Sequence, residues 1–292
     1  MRNARFLRFA TVFCPLLFIA PTASAQTGDA RPPSADEQAK LLDEVRQYAL
    51  NYTHGLPDFI CLEQTRRYVA GNGSWRPVDV LVAQLSYFNQ KEDYKLVLQN
   101  GHEVKGTSYA SVAGVFSMGD FGTTMRDIFD PSTHTRFAWQ KWTTLRGRRT
   151  HVLSYRVPLR LYTIQYQGER KEDEQKTNVA YRGSVLVDEQ LSTIVRITQE
   201  ALSIPPSFPV REARETLDYD FIKIGDSEFF LPLAATLEMN VQMFSGKVRM
   251  KNVKEFRLYQ RFSTDAVIKF DSGDLAPLPD DKITEQPQPP RK

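Results

Sequence analysis

The chain has 292 residues, 41% hydrophobic and 25% charged, enough apolar content to bury one large core or two small ones. Its formal net charge is +3, and setting aside Arg2, Arg5 and Arg8 at the N-terminus brings the basic residues level with the 35 acidic ones, so nothing global argues for nucleic acid or an anionic membrane surface. Of the two cysteines, Cys14 and Cys61, the first lies in the same N-terminal stretch, which leaves no partner for an intramolecular disulfide.

In chain order, those three arginines precede an apolar run from Phe9 to Ala20 and then Ala23-Ser24-Ala25. This is the pattern of a cleavable secretory signal over residues 1–25, cut before Gln26, and its apolar run is shorter than the roughly 20 residues a membrane span needs. Cys14 stands between Phe13 and Pro15, without the small residues that precede a lipid-modified cysteine. The mature chain is therefore expected to be periplasmic or secreted and to carry no transmembrane segment. After a leader at 26–35, Ser34 and Glu37 have the spacing of a capping box, and Leu41, Leu42, Val45, Tyr48, Ala49 and Tyr52 make one helical stripe.

From Phe59 the pattern turns to strands, "FICLEQTRRYVA", "PVDVLVAQLSYF" and "YKLVLQNGHEVKG", punctuated by Gly71-Asn72-Gly73 and Asn100-Gly101. A second helix is predicted over 118–129, with Met118, Phe121, Met125, Ile128 and Phe129 on one face and Pro131 ending the run. Strands then resume as "RFAWQKWTTL", "RTHVLSYRV", "LRLYTIQYQ", the hairpin "YRGSVLVDEQLSTIVRI", "TLDYDFIKI", "FFLPLAATLEMNVQMF" and "KVRMKNVKEFRLYQRF". Arg146-Gly147, Gly225-Asp226 and Ser245-Gly246 read as hairpin turns, which favours an antiparallel meander. Residues 271–292 are polar and Pro-rich and are expected to be a disordered tail.

No His-Glu-x-x-His, Gly-x-Ser-x-Gly or Gly-x-x-x-x-Gly-Lys-Ser/Thr motif occurs in the chain. His54, His102, His134 and His151 are too scattered for two of them to reach one metal from a single element, and they read as surface or turn residues. Cys61, in an alternating strand with no basic neighbour, reads as a buried inert thiol. The run Arg146 to Thr150 invites an anion-binding reading, but its place at a turn favours solvated arginines. Asp188 and Glu189 also fall in a turn, where acids serve the backbone rather than paired-carboxylate catalysis. Neither an enzymatic activity nor a cofactor is implied.

The order of elements, together with Gly183, Val185, Val187 and Asp188 in "GSVLVDEQLSTIVRI" and the following "YDFIKIGDSEFFLP", resembles the LolA-like lipoprotein carriers and RseB-like periplasmic regulators. The chain is also similar to bacterial exported proteins carrying "LRGRR" and "YDFIKI" stretches. The resemblance spans residues 36–270 and implies an α+β fold. That fold is a strongly curved antiparallel sheet, a half barrel, with the N-terminal helix and the central helical insertion on its concave side. It further implies a hydrophobic small molecule or lipid as ligand, and as alternative a periplasmic protein partner. In such a half barrel the face Met118, Phe121, Met125, Ile128, Phe129 would oppose Trp139, Trp142, Tyr155, Phe221, Leu237 and Met239. A face rich in Met and Phe is adaptable, although ordinary core packing would use the same residues.

Overall fold

The first element among the described residues is α1, Ala35–Asn51, closed at its N-terminus by the expected capping box: Glu37 N–H donates to Ser34 Oγ at 3.3 Å and Ser34 N–H to Glu37 Oε2 at 2.7 Å. Leu41, Val45 and Ala49, four residues apart, carry its buried face. The computed structural model describes residues 31–70, 73–104, 112, 114–116, 121–168, 174–243, 246–263 and 276–286. The expected signal segment 1–25, Met118 and Ser245 lie outside them.

The strands are β1 Phe59–Ala70, β2 Arg76–Phe88, β3 Lys91–Gln99, β4 His102–Glu103, β5 Gly114–Phe116, β6 Arg136–Leu145 and β7 Arg148–Gln167. They continue as β8 Gln175–Asp188, β9 Ile194–Leu202, β10 Val210–Ile224, β11 Ser227–Met243, β12 Gly246–Arg261 and β13 Glu285–Gln286. All pair antiparallel in one sheet of order β13-β6-β7-β8-β9-β10-β11-β12-β1-β2-β3-β4, with β5 added against β7. The path is open, with β13 and β4 as its ends. The long-range step of β12 onto β1 joins the N-terminal hairpins to the C-terminal meander.

Turn chemistry explains the short connections. Asn89-Gln90, Asn100-Gly101 and Arg146-Gly147 each place both central residues at positive φ, as two-residue hairpins require. Asp188 caps the next turn, its Oδ1 accepting from Gln190 N–H at 2.8 Å and Leu191 N–H at 3.0 Å. Residues 149–157 and 159–167, expected as two strands, are one strand, β7, that runs through Pro158. The missing N–H at Pro158 interrupts the ladder without ending the strand, and the register with β8 breaks between Val157 and Tyr162.

The helical insertion is shorter than expected. α2 spans Thr123–Phe129, and Phe121 stands before it, separated by Gly122 at φ 113°. A side chain at Gly122 would approach Thr53 Cγ2 to 2.6 Å, so glycine is needed there both for its backbone and for its space. Both helices pack on one face of the sheet, where Leu41, Val45, Met125, Ile128, Phe129 and Leu153 share a central buried cluster.

Residues 276–286 fall within the stretch expected as tail, yet β13 pairs with the end of β6 through Glu285↔Leu145 and Gln286↔Thr144. The attachment is polar rather than apolar: Thr143 Oγ1 donates to Glu285 Oε2 at 3.0 Å and Gly147 N–H to Gln286 Oε1 at 3.2 Å. A reading based on hydrophobic periodicity has no handle on such a contact.

Candidate ligand-binding site

Strand alternation sends residues two apart to the same face. Tyr155, Met125, Ile128 and Phe129 meet in the central cluster, each at most 3% exposed. Phe121 belongs to a neighbouring cluster, its ring 5.4 Å from Phe59, 5.3 Å from Phe256 and 6.1 Å from Tyr87. Leu237 and Met239 lie in a third cluster, with Ile164, Val179 and Phe208. Phe221 is 37% exposed and stands against Phe230, with the Arg148 guanidinium 5.0 Å above its ring. The eleven residues expected around one cleft are thus distributed, apart from Met118, over several neighbourhoods.

Trp139 and Trp142, both half-buried on β6, surround His151. Trp139 Nε1 donates to His151 Nδ1 at 3.2 Å, the Trp142 ring lies 3.9 Å from the imidazole, and the Arg149 guanidinium stacks 3.6 Å over Trp142. His151 is therefore a buried strand residue rather than a surface one. Burial, followed by the Arg149 charge, pushes its pKa down to about 4. An imidazole that must accept from Trp139 is held neutral in the fold, whereas the unfolded chain takes up a proton near its ordinary 6.5. Stability is then expected to fall by about 1–3 kcal/mol as pH drops from about 6.5 to about 4. Urea midpoints of wild type and His151→Asn across that range check this. A gap between the two proteins that does not change with pH would contradict it.

A groove of about 480 Å³ runs along the seam between α2 and the sheet. Thr123, Thr124 and Asp127 form one bank, and Leu161, Tyr162 and Tyr181 the other. Leu161 is 39% exposed, while Tyr181 is 2% exposed and joins the groove to the central cluster. Lys176 and Gln199 add polar groups. Burial pushes the Asp127 carboxyl and the Tyr181 phenol up. Sequence reading missed this groove. Its one visible signal was the pair of leucines, Leu159 and Leu161, after a mid-strand proline.

The helix-facing side also carries polar groups that apolar patterning missed. Glu63, Glu215 and Lys254 are 1–3% exposed, and Gln199 Nε2 donates to Glu215 Oε2 at 2.5 Å. In the sequence the signal is positional only: within "ARETL", Glu215 stands two residues from both Ala213 and Leu217, which are buried on that face.

On the opposite face the reading of Arg146 as a solvated turn residue is overturned. Its side chain is 6% exposed and folds back over the sheet to Asp218 Oδ1 at 3.1 Å and the Tyr219 carbonyl at 2.6 Å. Arg196 grips the same carboxylate at 2.9 and 3.0 Å. Residues of the C-terminal segment close over both, the Lys282 carbonyl accepting from Arg146 at 3.0 Å and the Ile283 carbonyl from Arg196. Burial pushes the Asp218 carboxyl up against the pull of the two guanidiniums. Gly183, in the middle of β8, has a steric cause: a Cβ there would lie 1.7 Å from the Thr198 carbonyl oxygen, which also accepts from Tyr155 Oη at 2.9 Å.

Cys61 is fully buried, and burial pushes its thiol up, away from the reactive thiolate. Among the described residues no group of three or more His, Cys, Asp or Glu could hold a metal, and no helix is long and apolar enough to cross a membrane.

No protein-family model and no curated protein matches the sequence. Among solved structures, the chain is similar to a DUF1329 family protein from Desulfovibrio piger, with 10% identity over 78% of this chain and 94% of that one and a TM-score of 0.36. It is also similar to a LolA superfamily protein from Nitrosomonas europaea, with 9% identity, 77% and 93% coverage and a TM-score of 0.30. A third is Pseudomonas aeruginosa MucB in its complex with MucA, with 10% identity, 75% and 94% coverage and a TM-score of 0.22. The LolA and RseB-like groups are those the sequence resembled, and at these scores no residue role passes from them to this chain.

Proposed function

We propose that this chain is an exported, periplasmic or secreted protein that holds a lipid or acyl chain, free or carried on a lipoprotein, between its sheet and α2, without catalysis. In this reading the sheet curls as a half barrel around α1 and α2. The observation that carries it is the groove of about 480 Å³ at the seam of α2, a size within the range of small-molecule sites. Leu161, Tyr162 and Tyr181 would take the chain, and Thr123, Thr124 and Lys176 would meet a polar head. α2 is only seven residues long, so widening the seam displaces a short element.

A second reading, a periplasmic interaction or regulatory module, is favoured by one feature. Among the described residues β13 pairs along the outer edge of β6 only with Thr144 and Leu145, which leaves the rest of that edge for an extended partner. Native mass spectrometry of the gently purified mature protein separates the two. The first reading expects an adduct that yields a lipid on extraction. Bare protein both as purified and after incubation with fatty acid would turn the assignment to the edge strand.

A further inference from the structure

One cross-strand row of charges changes character along its length on the face turned away from the helices. From the β6 edge inward, Arg136 stands opposite Arg156, Arg156 opposite Arg182, and Arg182 opposite Glu200. The row continues with Arg214, Glu238 and Lys251. The neighbours of these arginines fix their side: Phe137, Tyr155, Val157 and Tyr181 all belong to or pack on the helix-side cluster, so Arg136, Arg156 and Arg182 point the other way.

From Arg182 onward the row alternates in sign, as a row of solvated charges that needs no ligand would. Glu200 accepts from Arg182 at 3.0 Å and from Arg214 at 3.2 Å. At the β6 end three guanidinium-bearing residues stand side by side. Directly opposed positions have Cβ atoms about 4.5–5.5 Å apart, where like charges repel. Among the described residues the side chains of Arg136 and Arg156 make no ion pair or hydrogen bond. These two arginines, with Arg182, Ser154 and Ala138, line an open depression of about 460 Å³. Ordinary surface solvation accounts for one such arginine. It does not account for unbalanced repulsion at an end of the row that also forms a depression.

We propose that this end of the row is a binding site for a phosphoryl-bearing anion, with the guanidinium forks of Arg136 and Arg156 as its main ligands and Arg182, shared with Glu200, at its margin. Two donor forks one strand spacing apart, about 4.8 Å, suit a group with several oxygens in fixed geometry. The site lies on the other face from the α2 groove and does not depend on it. The phosphoryl group could belong to a free di- or oligophosphate or to a lipid headgroup, and the two sources are distinguished by experiment.

The test is calorimetric titration with inorganic pyrophosphate at low salt, and sedimentation with phosphatidylglycerol or phosphatidylcholine vesicles. Wild type, the double variant Arg136→Gln/Arg156→Gln and a control, Lys223→Gln, are compared. Binding of pyrophosphate that weakens about tenfold or more in the double variant, weakens with added salt and is unchanged in the control supports the site with a free anion. The same pattern with phosphatidylglycerol vesicles alone supports it with a headgroup as source. Relief of repulsion should leave the urea midpoint of the double variant equal to or above that of wild type. No binding of either probe by wild type, or equal binding by wild type and double variant, overturns the proposal.

Discussion

Asp218→Asn is expected to lower the stability of the folded chain by about 3–5 kcal/mol in urea titration, the cost of breaking a buried ion cluster from one side. The carboxylate serves two guanidiniums at once: Arg146 and Arg196 have side chains only 6% and 8% exposed. An amide in its place cannot offset either positive charge, and neither arginine can swing into water without unseating the segment 282–285 above it. The comparison is Arg214→Ala, whose side chain is 66% exposed and whose pair with Glu200 should matter by about 0–1 kcal/mol. A loss below about 1.5 kcal/mol at Asp218 would mean that water reaches the cluster, because surface pairs fall in that range.

Phe121→Ala is expected to lose about 3–5 kcal/mol, from lost burial and the cavity left behind. The residue is 1% exposed and its ring touches those of Phe59, Tyr87 and Phe256, which come from three different strands. The sequence placed Phe121 on the apolar face of a helix over 118–129. The structure puts it before that helix, on the near side of Gly122, where it anchors the approach to α2. Movement of α2 to admit a ligand therefore leaves Phe121 seated, and chemical denaturation is the measurement that checks it. A loss of only about 1–2 kcal/mol, the size of an average substitution, would show that the anchor is loose and that the segment moves as a whole.

How much could be read from the residues differs by the kind of physics involved. Strands whose ends are set by local chemistry were legible: β1 and β6 have the bounds that alternation and turn residues gave, and the capping box of α1 is formed as its spacing required. Pairing between distant segments was not. Nothing in "FICLEQTRRYVA" or "KVRMKNVKEFRLYQRF" names the other as its partner, because backbone hydrogen bonds carry no residue identity. Long polar side chains were also misjudged, since an arginine whose Cα lies in a turn can still bury its charged end several residues away, as Arg146 does. Residues 149–157 and 159–167 were read as two strands, while β7 runs through Pro158 and simply leaves the ladder for a few residues.

The apolar face of α2 was legible as a face, but its partners were not, because several large residues of the right period can pack in more than one arrangement. Met125, Ile128 and Phe129 are in the central cluster with Tyr155, whereas Leu237 and Met239 serve a cluster of their own. The groove beside α2 is built by residues that hydrophobic periodicity passes over, among them Thr123, Thr124 and Gln199.

The central claim, an acyl chain held at the seam of α2, is tested most directly by titrating the ligand-stripped mature protein with a fluorescent fatty acid. Saturable binding near one equivalent, with a dissociation constant of about micromolar order, is the predicted result. Leu161→Glu, which puts a charge on the exposed apolar bank of the groove, should weaken it by about tenfold or more while leaving the urea midpoint nearly unchanged, since that side chain is already 39% exposed. Absence of saturable binding by folded wild type, or binding that is indifferent to Leu161→Glu, would contradict the account.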